Sequence, residues 1–357
     1  MFLEQRLAMI SFRPTLALHP LVAPFGLAAC ALGLFVSSPT MGLMGVTLVV
    51  VTYVWLQRRQ LHTPWETVRS GIHVRVAAWA AQRASQAGRP ERAWAPEVLI
   101  GVTSTEEADL LLSIAGPLTT KAGSIRLVAL GADLDLGLGV EERAVAGRQR
   151  GLQLTATSVD AHNFSTGSTL VVDALRGIFL GPNLVIASGE HQSERDLQVL
   201  VDHCERRGVG VGVMLAHPDG AVGRAKQVSV WLSERSPNWG LEMHNANLDL
   251  PVLAGHLLSS TVDEPLQICT VVRAVDHRAD ANTFLHKLVE QGRLAKHTKI
   301  FVSDEDFMDA LKSCPYADIH IFGLSTTVEM QRLFKIRDAC GGACIFLLDS
   351  GQESILA

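Results

Sequence analysis

Two apolar runs stand side by side near the start of the chain, and no comparable run follows them. They are Leu16–Val36, which contains no charged residue, and Met41–Leu56. A membrane-spanning helix needs about 20 mostly apolar residues. The second run reaches that length because Ser38 can cap it and Pro39 fits a first helical position. The short loop Ser37–Thr40 makes the two helices antiparallel neighbours, so we predict a membrane hairpin that carries a large α/β domain.

The charges around the hairpin predict its orientation. Arg6 and Arg13 precede the first run, Arg58 and Arg59 follow the second, and the loop between the runs is uncharged. By the positive-inside rule both flanks are cytoplasmic. We therefore expect a multi-pass protein of the inner (plasma) membrane, in contact with the lipid bilayer, with both termini and the large domain in the cytoplasm. A cleaved signal peptide and a buried hairpin of a water-soluble protein remain as alternatives.

A helix is predicted to connect the hairpin to the large domain. Thr63 and Glu66 form a capping box around Pro64 and begin a helix that runs to about Ser85. Its apolar residues recur every three or four positions, and arginines lie on its other faces. The apolar stripe can pack on protein, including a second copy, or lie on lipid headgroups. The candidates for linker or dimer contacts are Trp65, Arg69, Ile72 and Trp79.

The remainder of the chain alternates between compact apolar segments and amphipathic ones. Segments such as PEVLIGV at 96–102 and SIRLVAL at 124–130 are typical of buried strands, and helical patterns separate them. This alternation predicts two mostly parallel, doubly wound α/β halves covered on both faces. The predicted organisation is a cytoplasmic lead at 1–15, the transmembrane hairpin at 16–57, a connecting helix and linker at 63–95, a first half at 96–220 and a second half at 221–357.

Composition excludes some classes of partner and site. The net charge is −5, and no basic stripe with interleaved aromatic residues is visible, so nucleic acid is not expected as a partner. The six cysteines contain no C-x-x-C pair, which disfavours a zinc site and favours reduced, mostly buried thiols.

Several short motifs suggest chemistry but lack its required context. Gly208, Gly210 and Gly212 follow a helix and lie in a strand, whereas a dinucleotide fingerprint follows a strand and opens a helix. We assign no catalytic, cofactor-binding or metal-binding residue and expect no cofactor; a membrane-tethered enzyme is a minor alternative. The other rejected motifs are Gly116–Lys121 as a phosphate loop, the pairs His217/Asp219 and Asp276/His277, and Asp349-Ser350-Gly351.

A set of phrases along the chain resembles the cation–chloride cotransporters of the amino acid–polyamine–organocation superfamily. Their order and spacing are most similar to the prokaryotic members, often described as amino-acid permeases. The resemblance covers about residues 11–357, which correspond to the last two membrane helices and the cytoplasmic C-terminal domain of that family. The phrases are Phe12-Arg13-Pro14, Tyr53, Thr63-Pro64-Trp65, Trp94-Ala95-Pro96, Ala115–Thr119, Ala317–Leu324 and Leu348–Ala357.

The resemblance implies a non-enzymatic role in secondary active transport (symport). It implies a C-terminal domain of two universal-stress-protein-like halves that serves regulation and homodimer formation. The family's transport core, with its broken helices, has no matching positions here, so no transport-site residue is assigned. The chain is then a fragment, a split-gene product acting with a separate chain that carries the core, or a stand-alone regulator. The alternative function is a membrane-tethered α/β sensor that binds a nucleotide or another small ligand.

Overall fold

A computed structural model of the protein describes residues 38–58, 76–83 and 94–355, together with a few positions between 25 and 36. The third range has gaps at 121, 179, 218–226, 234–247, 263, 274–276 and 296. The chain divides into two compact units, Met1–Gly88 and Arg89–Ala357.

The first unit contains helix α1, Pro39–Arg58, which begins at the proline that the sequence indicates. Among the described residues, no helix is both long and apolar enough to cross a membrane. The prediction of a membrane hairpin is therefore wrong. Glycines and threonines interrupt the apolar run of α1, and the hydroxyls of Thr47 and Thr52 donate to carbonyls one turn earlier in the helix. Most of the other predicted span, Leu16–Val36, lies outside the described residues.

The second unit alternates between strands and helices, as the sequence predicts. Its strands are β1 (Glu97–Val102), β2 (Ser124–Leu130), β3 (Leu154–Val159), β4 (Leu184–Ser188), β5 (Gly210–Leu215), β6 (Val228–Leu232), β7 (Gln267–Val271), β8 (Lys299–Ser303), β9 (Ile319–Gly323) and β10 (Ala343–Leu348). Its helices are α2 (Thr105–Thr119), α3 (Leu134–Gln149), α4 (Phe164–Leu175), α5 (Glu194–Arg207), α6 (Asp249–Val262), α7 (His277–Gln291), α8 (Phe307–Ser313) and α9 (Met330–Cys340).

The ten strands form one continuous sheet in the order β3-β2-β1-β4-β5-β10-β9-β6-β7-β8. The first five strands and the last five repeat the same parallel, doubly wound order. Each half therefore has the strand arrangement that the sequence predicts, but the two halves share one sheet. The halves meet in the seam, which we define as the antiparallel pair β5–β10 and which places Leu215 opposite Cys344 and Val211 opposite Leu348. Every other neighbouring pair in this sheet is parallel.

Apolar cores lie on both faces of the sheet. Helices α2, α3, α6 and α7 cover one face, where Ile100 and Leu111 are buried. Helices α4, α5, α8 and α9 cover the other, where Leu197 and Phe346 are buried. The central strands β1, β4, β5, β6 and β10 are buried along their whole length. Burial on both faces explains why these strands read as continuous apolar segments rather than as alternating ones.

Helix α3 is absent from the sequence-based prediction. It contains three glycines, which disfavour helix formation, and it is only weakly amphipathic. The glycines permit a close approach: a Cβ on Gly137 would lie 2.7 Å from the Ser158 hydroxyl, and one on Gly139 would lie 2.7 Å from a Thr105 methyl group. Packing against β3 and α2 therefore outweighs the poor helix propensity of this segment.

Side chains of α5 connect the first half to the segment before α9. The amide of Gln198 donates to the Thr326 carbonyl at 2.9 Å and accepts from the Val328 N–H at 2.7 Å. The Glu194 carboxylate accepts from the Met330 N–H at 2.9 Å. These bonds satisfy backbone groups at the beginning of α9 and tie the two halves together beyond the seam.

We predict that Gln198→Ala lowers the free energy of unfolding by about 1–3 kcal/mol, because it leaves the Val328 N–H and the Thr326 carbonyl without this partner. Gln149→Ala is the matched control, since Gln149 is exposed at the end of α3, and its effect is expected within about 0.5 kcal/mol. Equilibrium urea denaturation measures both. Equal stability of the two variants would contradict the role given to Gln198.

Candidate functional site

Each half of the sheet has a topological switch point, where the strand order reverses. In the first half it lies between β1 and β4, and in the second between β6 and β9. Open α/β sheets bind ligands outside the carboxyl ends of their strands at such points. The two switch points differ in what is observed there: a hydrogen-bonded buried carboxylate lies at the first, and a cavity opens at the second.

A buried carboxylate lies at the first switch point. Glu107 is fully buried and accepts hydrogen bonds from the N–H and hydroxyl of Thr103, at 2.8 and 3.1 Å, and from the Gln192 amide, at 2.8 Å. Its own N–H donates to Ser104, the N-cap of α2. Sequence reasoning assigned no role to Glu107, although Ser104-x-x-Glu107 is a capping-box signature that could have identified it.

The second switch point opens into a cavity of about 880 Å³, which we call the second-half cavity. Its floor is aromatic: the rings of Trp231 and Phe322 stack with centroids 6.1 Å apart, and those of Phe322 and Phe346 stack at 5.3 Å. Phe307 meets the Trp231 ring edge-on at 5.9 Å. These rings come from β6, β9, β10 and α8, so the ends of three strands and one helix build the floor.

Charged side chains form the rim of this cavity. Asp304, Glu305 and Asp306 follow β8, and Asp306 caps α8 by accepting from the Met308 N–H at 3.1 Å. Glu305 accepts from the Ser313 hydroxyl at 2.7 Å. Among the described residues, the other charged side chains of the lining are Glu329 and Arg332 at the start of α9 and Arg273 after β7.

A histidine lies on the same face of the sheet as the aromatic floor. His320 is fully buried in β9, and its Nδ1 is 2.7 Å from the Ser229 hydroxyl and 3.3 Å from the Trp231 indole nitrogen. The indole N–H can only donate, so Nδ1 is an acceptor and the ring is neutral. Burial lowers the pKa of His320 to about 4. His320 therefore orients Trp231 and does not act as a proton carrier near neutral pH.

Three carboxyl groups come together near the carboxyl end of β10. Asp349 Oδ2 accepts from the Leu250 N–H at 3.4 Å, and Asp249 Oδ1 accepts from the Ile355 N–H at 2.9 Å. Glu353 accepts from the N–H and hydroxyl of Ser350. Burial, followed by the hydrogen bond with Glu353 and the neighbouring negative charges, raises the pKa of Asp349 to about 8. The cluster holds residues 349–355 against the start of α6.

The rejected motifs have structural roles where they are described. Gly208 ends α5 with φ +62°, and a Cβ on Gly210 or Gly212 would lie 3.0 Å from a leucine methyl group. The segment around Gly116 lies inside α2. His277 is the first residue of α7, whereas Asp219 and Asp276 lie outside the described residues.

The described cysteines are thiols without disulfide partners. Burial raises the pKa of Cys204 to about 12 and that of Cys314 to about 11, and it also raises those of Cys269 and Cys344. A protonated thiol is a poor nucleophile, so these cysteines are not suited to catalysis. The described residues contain no group of three or more His, Cys, Asp or Glu side chains arranged to hold a metal ion.

Of the predicted linker and dimer residues, Trp65, Arg69 and Ile72 lie outside the described part of the chain. Trp79 lies in a helical stretch at 76–83, is 61% exposed, and has the Arg83 guanidinium 5.6 Å from its ring centroid. Their assignment to linker or dimer contacts stays a prediction.

We predict that Glu107→Ala lowers the free energy of unfolding by about 1–3 kcal/mol, because the Thr103 N–H and the Gln192 amide lose a buried acceptor. Glu142→Ala, at an exposed position on α3, is the control for loss of a helical glutamate. Urea denaturation measures the free energy of unfolding of both variants. An equal decrease in the two variants would contradict the role given to Glu107 at the first switch point.

Asp349 predicts a pH dependence of stability. The folded chain keeps a proton on Asp349 up to about pH 8, whereas the unfolded chain releases it near the ordinary pKa of 3.8. The stabilising contribution is therefore complete below pH 3.8 and is lost as the pH rises to about 8. Asp349→Asn should flatten this part of the stability profile. Thermal unfolding measured from about pH 5 to pH 9 gives the slope of stability against pH. Asp160→Asn, at an exposed position, is the control. An unchanged slope in Asp349→Asn contradicts the assignment.

Comparison with protein families and solved structures identifies the second unit. The family model "Prokaryotic cation-chloride cotransporter, C-terminal domain, 1st" matches residues 100–222, and the corresponding "2nd" model matches residues 223–356. No curated protein sequence matches the chain significantly.

Among solved structures, the cytoplasmic domain of a prokaryotic cation chloride cotransporter is 23% identical, with a TM-score of 0.67. That match covers 74% of this chain and 99% of the other. A universal stress protein from Archaeoglobus fulgidus DSM 4304 is 11% identical over 70% of this chain and 95% of its own, with a TM-score of 0.44. The two family models cover both halves of the sheet and confirm the predicted resemblance. The chain therefore belongs to the prokaryotic cation–chloride cotransporter family and contains that family's cytoplasmic C-terminal domain.

Proposed function

We propose that this domain regulates a cation–chloride cotransporter as a homodimer, and that it acts on a transport core outside residues 94–355. The observation that carries the proposal is the contrast between the two switch points within one continuous sheet. At the first, hydrogen bonds join the side chains of Thr103, Glu107 and Gln192, whereas the second opens into a cavity of about 880 Å³. A domain of this kind can bind a ligand in one half and hold the other half fixed.

The chemistry of the described residues favours regulation over catalysis. The buried thiols have raised pKa values, and His320 is held neutral against Trp231. Acid–base catalysis works best with groups whose pKa values lie near the operating pH. Asp349, the group with a pKa of about 8, is partly buried and serves to hold the last residues of the domain. We infer that the domain is not an enzyme.

An exposed apolar stripe on α3 supports dimer formation. Leu134, Leu138 and Val145 are 77%, 63% and 42% exposed, and their spacing of four and seven residues places them on one face of the helix. Apolar residues concentrated on one exposed face are typical of protein interfaces. A second copy of the chain presents the same stripe, so a two-fold contact buries it on both partners.

A small-ligand sensor is the second candidate, and the second-half cavity favours it. Ligand pockets in proteins are commonly 300–1,000 Å³ in volume, mostly apolar and few in number. Sensing and regulation are compatible, because a ligand that stabilises one arrangement of the domain can change the activity of the transport core. Binding of a nucleotide or another small molecule to the purified chain distinguishes this candidate from a purely structural dimer module.

We predict that the double substitution Leu134→Ser and Leu138→Ser weakens dimer association at least tenfold, because it removes two apolar contacts from each partner. A loss of about 1.4 kcal/mol of association free energy is enough for a tenfold change. Light scattering of the full chain across a range of concentrations measures the dimer. Chloride-dependent cation uptake, in cells that contain the complete native transport system, measures regulation. Leu170→Ser is the matched control, since Leu170 is 57% exposed on α4. A wild-type chain that stays monomeric, or normal uptake by the double variant, contradicts the proposal.

A further inference from the structure

We infer that β3, at one edge of the sheet, pairs in antiparallel orientation with β3 of a second copy of the chain, with the two-fold axis at Thr157. The inference rests on the homodimer proposed above and deepens it by naming the contact that joins the two copies. It is drawn from the backbone groups of β3, from the sequence of that strand and from the apolar and charged residues of α3, which packs against it.

The outer edge of β3 has backbone groups that are open for pairing. Within the described sheet, β3 has β2 as its single neighbour. The carbonyls of Gln153 and Val159 accept from backbone N–H groups on the side of β2. Because backbone groups alternate in direction along a strand, Ala156 and Ser158 point their N–H and C=O groups away from the sheet. A row of such groups is a template for another strand.

The open groups determine the register of a two-fold contact. At the start of β3 the Leu154 carbonyl is already engaged, because Arg148 Nη1 donates to it at 3.1 Å. Among the described residues, the outward groups of Ala156 and Ser158 have no such partner. A symmetric antiparallel pair that uses both residues sets Ala156 opposite the partner's Ser158, and each such pair exchanges both N–H···O bonds. Thr157 then lies opposite itself.

The sequence of β3 lacks the features that protect exposed sheet edges. Edge strands commonly carry a lysine or a proline that blocks pairing with another chain. The sequence of β3, LTATSV, contains no charged residue and no proline. In contrast, β8 at the opposite edge begins with the exposed Lys299. This difference favours β3 as the edge that is used for pairing.

Helix α3 lies over β3 at a position that suits the same two-fold axis. A Cβ on Gly137 would lie 2.7 Å from the Ser158 hydroxyl, and one on Gly147 would lie 3.0 Å from a Leu154 methyl group. Since Thr157 comes directly before Ser158 in the strand, it is level with the middle of α3.

The exposed apolar residues of α3 are arranged symmetrically about that level. Leu134 and Val145 are both exposed and lie near opposite ends of the helix, equally far from its middle. A rotation of 180° at Thr157 therefore brings Leu134 of one copy to the level of the partner's Val145. The apolar stripe and the open strand edge thus share one axis.

The charges of α3 are complementary in the same arrangement. Asp133 and Asp135 stand at the beginning of the helix, and Arg148 and Arg150 stand at its end. In an antiparallel pair of helices the acidic end of each lies beside the basic end of the other, as the helix dipoles also favour. This complementarity is a property of two copies of the chain, so we commit to a second copy as the partner of β3.

Charge exchange at Thr157, which is exposed, tests the pairing on the purified full chain. Thr157→Lys and Thr157→Glu should each weaken dimer association at least tenfold, because like charges then lie directly opposite each other. An equimolar mixture of the two variants should recover association to within about threefold of the wild type. Light scattering across a range of concentrations measures association. Thr166→Lys, at an exposed position on α4, is the control and should leave association unchanged.

A cross-link gives a second measurement, which carries the test if a charged residue at 157 prevents folding. Residues opposite each other in a non-hydrogen-bonded antiparallel pair are close enough for a disulfide. Thr157→Cys should therefore form a disulfide-linked dimer in air, visible on a non-reducing gel, whereas Thr166→Cys should not.

Three results would overturn the inference: a wild-type dimer that is unaffected by charge at 157, a mixture that does not recover association, or equal cross-linking of the two cysteine variants. In each case the dimer and uptake measurements on the Leu134→Ser and Leu138→Ser double variant still decide the proposed function separately. A wild-type chain that stays monomeric contradicts the proposed function as well.

Discussion

The antiparallel pair β5–β10 is the contact on which the rest of this domain depends. It joins two five-stranded parallel sheets into one and relates the halves by an approximate two-fold arrangement. Gly210 and Gly212 allow close packing at the seam, since a Cβ on Gly212 would lie 3.0 Å from a methyl group of Leu347 and one on Gly210 would lie 3.2 Å from the Leu348 carbonyl oxygen. The helices on the two faces then add contacts such as those of Gln198 on α5.

The same architecture has been used differently in the two halves. At the first switch point the carboxylate of Glu107 accepts three hydrogen bonds from Thr103 and Gln192, which occupy most of its acceptor sites. At the second, the carboxylate of Glu329 stands beside a cavity with an aromatic floor. A repeated fold can thus keep one half as a fixed support while the other half binds. The repeat alone does not specify this difference, which depends on single side chains placed at equivalent ends of the sheet.

Much of the fold could be predicted from the sequence, because segments such as PEVLIGV and QVSVWL are apolar along their whole length and strongly indicate buried parallel strands. Three aspects of the structure were not predicted correctly. Helix α3 is stabilised by the close approach of Gly137 and Gly139 to β3 and α2, which is a tertiary effect. The predicted membrane hairpin rested on the length of two apolar runs, and in the described run the threonines and glycines of α1 lower the apolar content. The joining of the halves at β5–β10 also depends on long-range pairing and has no local signature.

The candidate site was harder to predict than the fold, for a physical reason. Trp231, Phe307, Phe322 and Phe346 are far apart in sequence, and each one alone reads as an ordinary core residue. Only the parallel register of β6, β9 and β10 brings three of them to one edge. Motif searches look for chemistry within a few consecutive residues, and the four aromatic residues of the floor form no such local pattern. A surface that lies across strand ends follows from topology, so a correct strand order is what locates it.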